Sequence, residues 1–208
     1  MSTTFSRRAQ LGDLLARAVI SGLFLVLAIN LFGDFQRTGR FTGLLLLISE
    51  LLVAIFTLTR RQTSDVDRTR IALLLTAVSV AGPPLLRTSA NGGLMPDAVT
   101  AAISAVGLLI VVFGKLALGR SFGIVPANRG VVTRGPYAFV RHPIYTGYLI
   151  THVAFLAAHP SLTNLFIVLV ADTALIGRAF REEQTLEKDD CYQAYRRRVA
   201  WHLVPGVF

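Results

Sequence analysis

Charge is scarce in this chain. Only 16% of its 208 residues are Asp, Glu, Lys or Arg, against roughly 25% in soluble domains. Cysteine is nearly absent as well, and the single Cys191 excludes an internal disulfide. No Gly-x-Gly-x-x-Gly occurs, so a Rossmann-type nucleotide site is unsupported. No Cys/His pairing has zinc spacing, and His142, His152, His159 and His202 are scattered along the chain, so no metal site is expected. Acidic residues are outnumbered 12 to 21, leaving a net charge of +9. That excess is spread over short segments between apolar runs, with no nucleic-acid motif beside it. Anionic lipid headgroups are therefore the expected partner, and nucleic acid is not.

What the chain has in abundance is apolar surface: 53% of residues are hydrophobic and the mean hydropathy is +0.57. Four apolar runs, Leu14–Phe32, Phe41–Leu58, Ile71–Leu86 and Ala98–Leu118, approach or reach the ~20 residues a spanning helix needs. Gly82-Pro83-Pro84 should kink or end the third. A fifth run, Ile144 to Gly177, is broken at His159-Pro160-Ser161, which reads as a tight hairpin between two helices. The expected fold is thus all-α and integral to the membrane, with about six transmembrane helices, the last two a hairpin. A division follows, with residues 1–97 supplying about three N-terminal spans and 98–208 the functional core.

Six spans place both termini on one side. Eighteen of the 21 basic residues fall there, all but Arg37, Arg40 and Arg87. Short cytoplasmic loops carry such an excess, so this side is expected to be cytoplasmic: the head, the Arg60–Arg70 loop, the Gly119–His142 loop and the tail.

Between two of the apolar runs lies Gly130–Gly147, GVVTRGPYAFVRHPIYTG, a polar loop punctuated by Gly and Pro. Arg134-Gly135-Pro136-Tyr137 reads as a turn. Pro143 suits the first position of a helix, because its missing N–H would be unpaired there anyway. The start of that helix favours an anion, and Tyr137 and Tyr145 offer aromatic faces to a cation or flat ring. Together with Leu118-Gly119-Arg120-Ser121-Phe122, Arg181-Glu182-Glu183-Gln184-Thr185-Leu186, Tyr192, Tyr195, Arg198-Val199 and Pro205-Gly206-Val207-Phe208, this loop resembles the isoprenylcysteine carboxyl methyltransferase family and its phospholipid methyltransferase relatives. The resemblance runs from about Gly114 to Phe208. It departs at Asp189, where the family usually has Gly, and at Ala200, where Pro commonly follows Arg-Val. Asp tolerates the left-handed backbone that Gly would supply.

The resemblance implies a cytoplasmic pocket for S-adenosyl-L-methionine, formed by the loop before the hairpin and the C-terminal tail. Its expected cofactor-binding residues are Thr133, Gly135, Tyr137, Arg141, His142, Pro143, Tyr145, Gly147, Glu182, Glu183 and Tyr195. The helix start with Arg141 or His142 suits the cofactor carboxylate, Glu182 or Glu183 its ammonium or ribose, and Tyr137 and Tyr145 its ring or sulfonium. Gly147 would keep that helix face open to close approach. Arg141, Arg198 and Glu183 are the catalytic candidates, with an Arg holding a carboxylate acceptor. Each has a bland alternative: the arginines as headgroup anchors, Glu182 and Glu183 as a solvated helix start, and Tyr192 and Tyr195 as interfacial belt residues.

The expected reaction is methyl transfer to a lipophilic small molecule or lipid-modified substrate, with a carboxylate acceptor favoured by the resemblance. An amine acceptor would instead need a base such as Glu182, Glu183 or Asp172. A sterol-reductase-like oxidoreductase and a non-enzymatic membrane protein are the rival classes. Glu50 and Asp172, each inside an apolar run, cost at least ~2.5 kcal/mol apiece in a membrane unless paired or wetted. Lys115 is expected to snorkel to the surface.

Overall fold

The structure, a computed structural model, describes residues 7–59, 66–89, 92–121, 123 and 125–207, with the side chains of 7–21, 52–59 and 120 left aside. The expected roles of Arg7, Arg8, Arg17, Arg60, Arg61, Phe122 and Phe208, and of the Arg120 side chain, lie outside what is described. Among the described residues the chain is all helical: α1 (Arg7–Thr38), α2 (Thr42–Thr59), α3 (Arg70–Ala81), α4 (Asp97–Leu118), α5 (Pro143–Ala158), α6 (Leu162–Leu186) and α7 (Asp190–Arg198). Its β-type pairing amounts to an isolated antiparallel bridge between Val66 and Ala127.

Local chemistry sets the element ends. Thr69 caps α3 by accepting from the Ala72 N–H at 3.3 Å. Gly82-Pro83-Pro84 then stops the helix in a single 3-10 turn, Pro83–Leu85. A Cβ at Gly82 would fall 2.4 Å from the Ala171 Cβ, so glycine lets this end of α3 lie directly on α6. Gly119, at φ +53°, takes the chain out of α4 in a conformation that side chains rarely adopt. Between α5 and α6 the turn is held by Ser161, which caps α6, and by Asn164. The Asn164 amide donates to the carbonyls of Arg87 and His159 and accepts from the Arg87 N–H.

Packing is tightest between α4 and α5, and α6 packs on α3 while α2 packs on α4. Gly107 and Gly147 face each other across the α4–α5 contact. A Cβ at Gly147 would lie 2.6 Å from the Gly107 carbonyl and 2.6 Å from Val111 Cγ2. Gly147 therefore serves helix approach, and the expected cofactor contact at this position gives way to a packing role.

The helix boundaries follow the apolar runs, but the lengths differ from six full spans. Two described helices, α4 and α6, are by themselves long and apolar enough to cross a membrane, and α3 and α5 have only 12 and 16 residues. α6 does not end near Gly177. It continues to Leu186, so Glu182 and Glu183 lie in its last turns and begin no helix, and Asp172 sits about four turns from its end. Lys115 does not snorkel. It is fully buried and donates to the Ser49 carbonyl at 3.3 Å, with its ammonium 5.2 Å from the Tyr148 ring centroid. Asp189 is not left-handed: at φ −102°, ψ 120° it caps α7, accepting from the Cys191 N–H and from the Asn128 amide.

Candidate active site

Tail and loop are stitched together at the start of α5. The N–H groups of Arg141 and His142 donate to the carbonyls of Trp201 and His202 at 2.9 Å each, and Thr146 Oγ1 donates to the Leu203 carbonyl at 2.7 Å. Tyr195 Oη donates to the Tyr137 carbonyl, clamping α7 onto the 3-10 turn Gly135–Ala138. Of the N–H groups at the helix start, those of Arg141 and His142 are taken by the tail, Pro143 has none, and those of Tyr145 and Thr146 return to the His142 carbonyl.

Under this seam Glu183 is a buried hub. His142 Nε2 donates to its Oε1 at 2.9 Å, His202 Nδ1 lies 2.9 Å from the same oxygen, and Arg141 Nε is 3.2 Å away without hydrogen-bond alignment. Arg141 Nη2 meets His202 Nε2 at 2.6 Å. A guanidinium only donates, so His202 Nε2 accepts and its proton resides on Nδ1, facing Glu183. Burial pushes the His202 pKa below its ordinary value, and Arg141 reinforces that shift against the pull of Glu183. The donor atoms of His142, Glu183 and His202 lie within 4.8 Å of one another, a spacing compatible with a metal. They are at hydrogen-bonding distance with an arginine on the same carboxylate, an arrangement that neutralises the charge without a metal ion.

Glu182 stands differently. Its Oε2 accepts from Tyr145 Oη at 2.8 Å, and that hydroxyl in turn accepts from Arg178 Nε at 2.9 Å. The Arg178 guanidinium lies 4.8 Å from the Tyr145 ring centroid and its Nη1 donates to Ser79 Oγ. Glu182 remains half-buried beside a cleft of about 660 Å³, counting its mouth, walled by Leu118, Val131, Val132, Tyr137, Arg141, His142, Ile144, Tyr145, Arg178, Leu186 and Tyr195.

Six of the expected residues thus line one cleft: Tyr137, Arg141, His142, Tyr145, Glu182 and Tyr195. Thr133, Gly135, Pro143, Gly147, Glu183 and Arg198 do not line it. Thr133 and Arg198 are exposed, and Pro143 begins α5. Gly135, at φ +63°, shapes the turn against Ala117. Glu183 is consumed by its three cationic and imidazole neighbours. Residue types alone did not single out Arg178 or His202, because an arginine at the end of an apolar run reads as a headgroup anchor and a tail histidine as solvent-facing.

This cleft lies in the part of the chain that matches a known family: residues 99–188 match the isoprenylcysteine carboxyl methyltransferase (ICMT) family. That segment resembles the ICMT family. ICMT-family chains are membrane methyltransferases, and the two long apolar helices α4 and α6 fit a transmembrane protein. The matched segment supplies the loop, α5 and the Arg178–Leu186 end of α6, whereas Tyr195 and His202 come from the tail beyond it. The comparison with curated proteins returned no match.

Proposed function

We propose that the chain is a multi-pass membrane enzyme that binds cytoplasmic S-adenosyl-L-methionine in the cleft and methylates a lipophilic carboxylate reaching it from the bilayer. The observation that carries this reading is the cleft itself, where a half-buried carboxylate, the guanidiniums of Arg141 and Arg178 and three tyrosine rings converge, all but Tyr195 from the segment that matches the ICMT family. Its polar groups suit the cofactor. Glu182, whose described hydrogen-bond partner is Tyr145, suits the ammonium or the ribose hydroxyls, and Arg141 suits the carboxylate. Tyr137, Tyr145 and Tyr195 offer ring surface for adenine and for the sulfonium.

The cofactor supplies an electrophilic methyl group; the protein's share is binding, alignment and exclusion of water. A carboxylate acceptor is already ionised at neutral pH, so no general base is needed. Arg178 takes the acceptor-holding role first given to Arg198, because it faces the cleft from the interior side while Arg198 is solvent-exposed. Glu183 positions Arg141 and His142 and touches neither ligand in this reading.

Incubating the purified protein with radiolabelled S-adenosylmethionine and a membrane lipid extract, followed by alkaline hydrolysis, tests the proposal. Volatile labelled methanol is expected, as from a carboxyl ester. A base-stable product would transfer the reading to an amine acceptor. Absence of S-adenosylhomocysteine binding by calorimetry in a folded sample would remove the methyltransferase assignment for this cleft.

A further inference from the structure

A second, smaller cavity lies between α1, α2, α3, α5 and α6 and shares with the cleft one wall residue, Arg178. Its apolar lining comes from Phe24, Val80, Pro83, Ala171 and Leu175. Its polar lining is unusual for such a place. Glu50, Tyr148 and His152 are 4%, 7% and 4% exposed, and Glu50 Oε1, Tyr148 Oη and His152 Nε2 are each without a hydrogen-bond partner among the described residues. Glu50 Oε1 and His152 Nε2 face each other at 3.8 Å, too far for a hydrogen bond and close enough for one small group to bridge them. Buried polar atoms are ordinarily paired, so each of these calls for a partner.

The pairing around them narrows what fits. His152 Nδ1 lies 2.6 Å from Asp172 Oδ1, which engages that nitrogen and leaves Nε2 turned to Glu50 and the cavity. Two carboxylates, Glu50 and Asp172, stand here beside the basic groups His152, Arg178 and, within Coulomb range of Glu50, Lys115. A ligand carboxylate would face Glu50 with no donor of its own. An ammonium would leave the Tyr148 hydrogen without an acceptor. A neutral hydroxyl meets the requirements, donating to Glu50 Oε1 and accepting from Tyr148 Oη.

We propose that this cavity is a binding site for the hydroxyl head of a long-chain lipophilic alcohol, distinct from the cofactor cleft. It does not depend on methyl transfer, so its test needs no turnover.

The full chain in lipid nanodiscs would be irradiated with dodecan-1-ol carrying a diazirine on its chain, and labelled peptides mapped by mass spectrometry. Saturable labelling of α5 or α6 peptides is expected, displaced by unlabelled dodecan-1-ol and not by dodecylamine, dodecanoic acid or dodecane. Glu50→Leu should abolish saturation, and Tyr148→Phe, which changes no packing volume, should raise the half-saturating concentration roughly three- to tenfold. Non-saturable label spread over the exposed helix faces would overturn the proposal and mark the cavity as holding water only. Equal displacement by the acid or the amine, or wild-type saturation in Tyr148→Phe, would overturn it as well.

Discussion

Two neighbouring carboxylates carry opposite consequences. Glu182 borders the cleft with one tyrosine hydroxyl on it, whereas Glu183 is buried among Arg141, His142 and His202. Glu182→Gln should therefore leave folding nearly intact and raise the Michaelis constant for S-adenosylmethionine roughly ten- to hundredfold, as loss of a charge-assisted bond of ~1.5–3 kcal/mol implies. Glu183→Gln strands buried cationic groups and should destabilise the fold by ~3–5 kcal/mol, read as a lowered midpoint in detergent unfolding. If the two variants exchanged these phenotypes, the ligand role would belong to Glu183. His202 adds a pH signature. Its folded pKa lies below the unfolded value because burial and Arg141 disfavour its cation, so the unfolded chain binds more protons. Stability from this residue is present above about pH 6.5 and is lost as pH falls below it. A thermal unfolding series from neutral to mildly acidic pH should show that loss, and His202→Asn should flatten it.

At the level of elements, the α4–α5 contact depends on two glycines. Gly147→Ala places a methyl 2.6 Å from both the Gly107 carbonyl and Val111 Cγ2, and should cost ~1–3 kcal/mol by denaturant unfolding. Gly33→Ala, in α1 with nothing within 4 Å of the added carbon, should be neutral or slightly stabilising. Equal effects at the two sites would contradict the close approach. Helix positions were legible because apolar runs, Pro143, Gly82-Pro83-Pro84 and His159-Pro160-Ser161 act through local rules of backbone conformation. Where α6 ends was not legible: Arg178 to Leu186 is polar on the outside yet buries Arg178, Ala179 and Glu183 against partners distant in sequence. The cleft residues in the loop could be named from residue type and resemblance, but Gly147 and Glu183 could not be sorted into packing and hub roles without knowing which helix lies opposite. Lys115 misled for the same reason, since a lysine near a helix end reads as surface-seeking until a carbonyl and a tyrosine ring from other elements are placed around it.

For the whole molecule, topology is the expectation most open to direct measurement. Cys191 is the single cysteine of the chain and is exposed at the start of α7, a built-in reporter for the tail. A membrane-impermeant maleimide should leave it unlabelled in intact cells and label it after permeabilisation, as does a cytoplasmic tail. Labelling from outside would overturn the six-span orientation and the cytoplasmic placement of the cleft together.

The seam joining Arg141, His142 and Thr146 to residues 201–203 also bears on biosynthesis. Every membrane-length helix precedes it in the chain, so insertion into the bilayer can be complete while the ribosome still holds the segment that closes the site. A nascent chain arrested before Trp201 would present α5 with the N–H groups of Arg141 and His142 open and His202, one of the three partners of Glu183, missing. Formation of the site is thus a step separate from membrane integration, set by when residues 201–203 reach the start of α5.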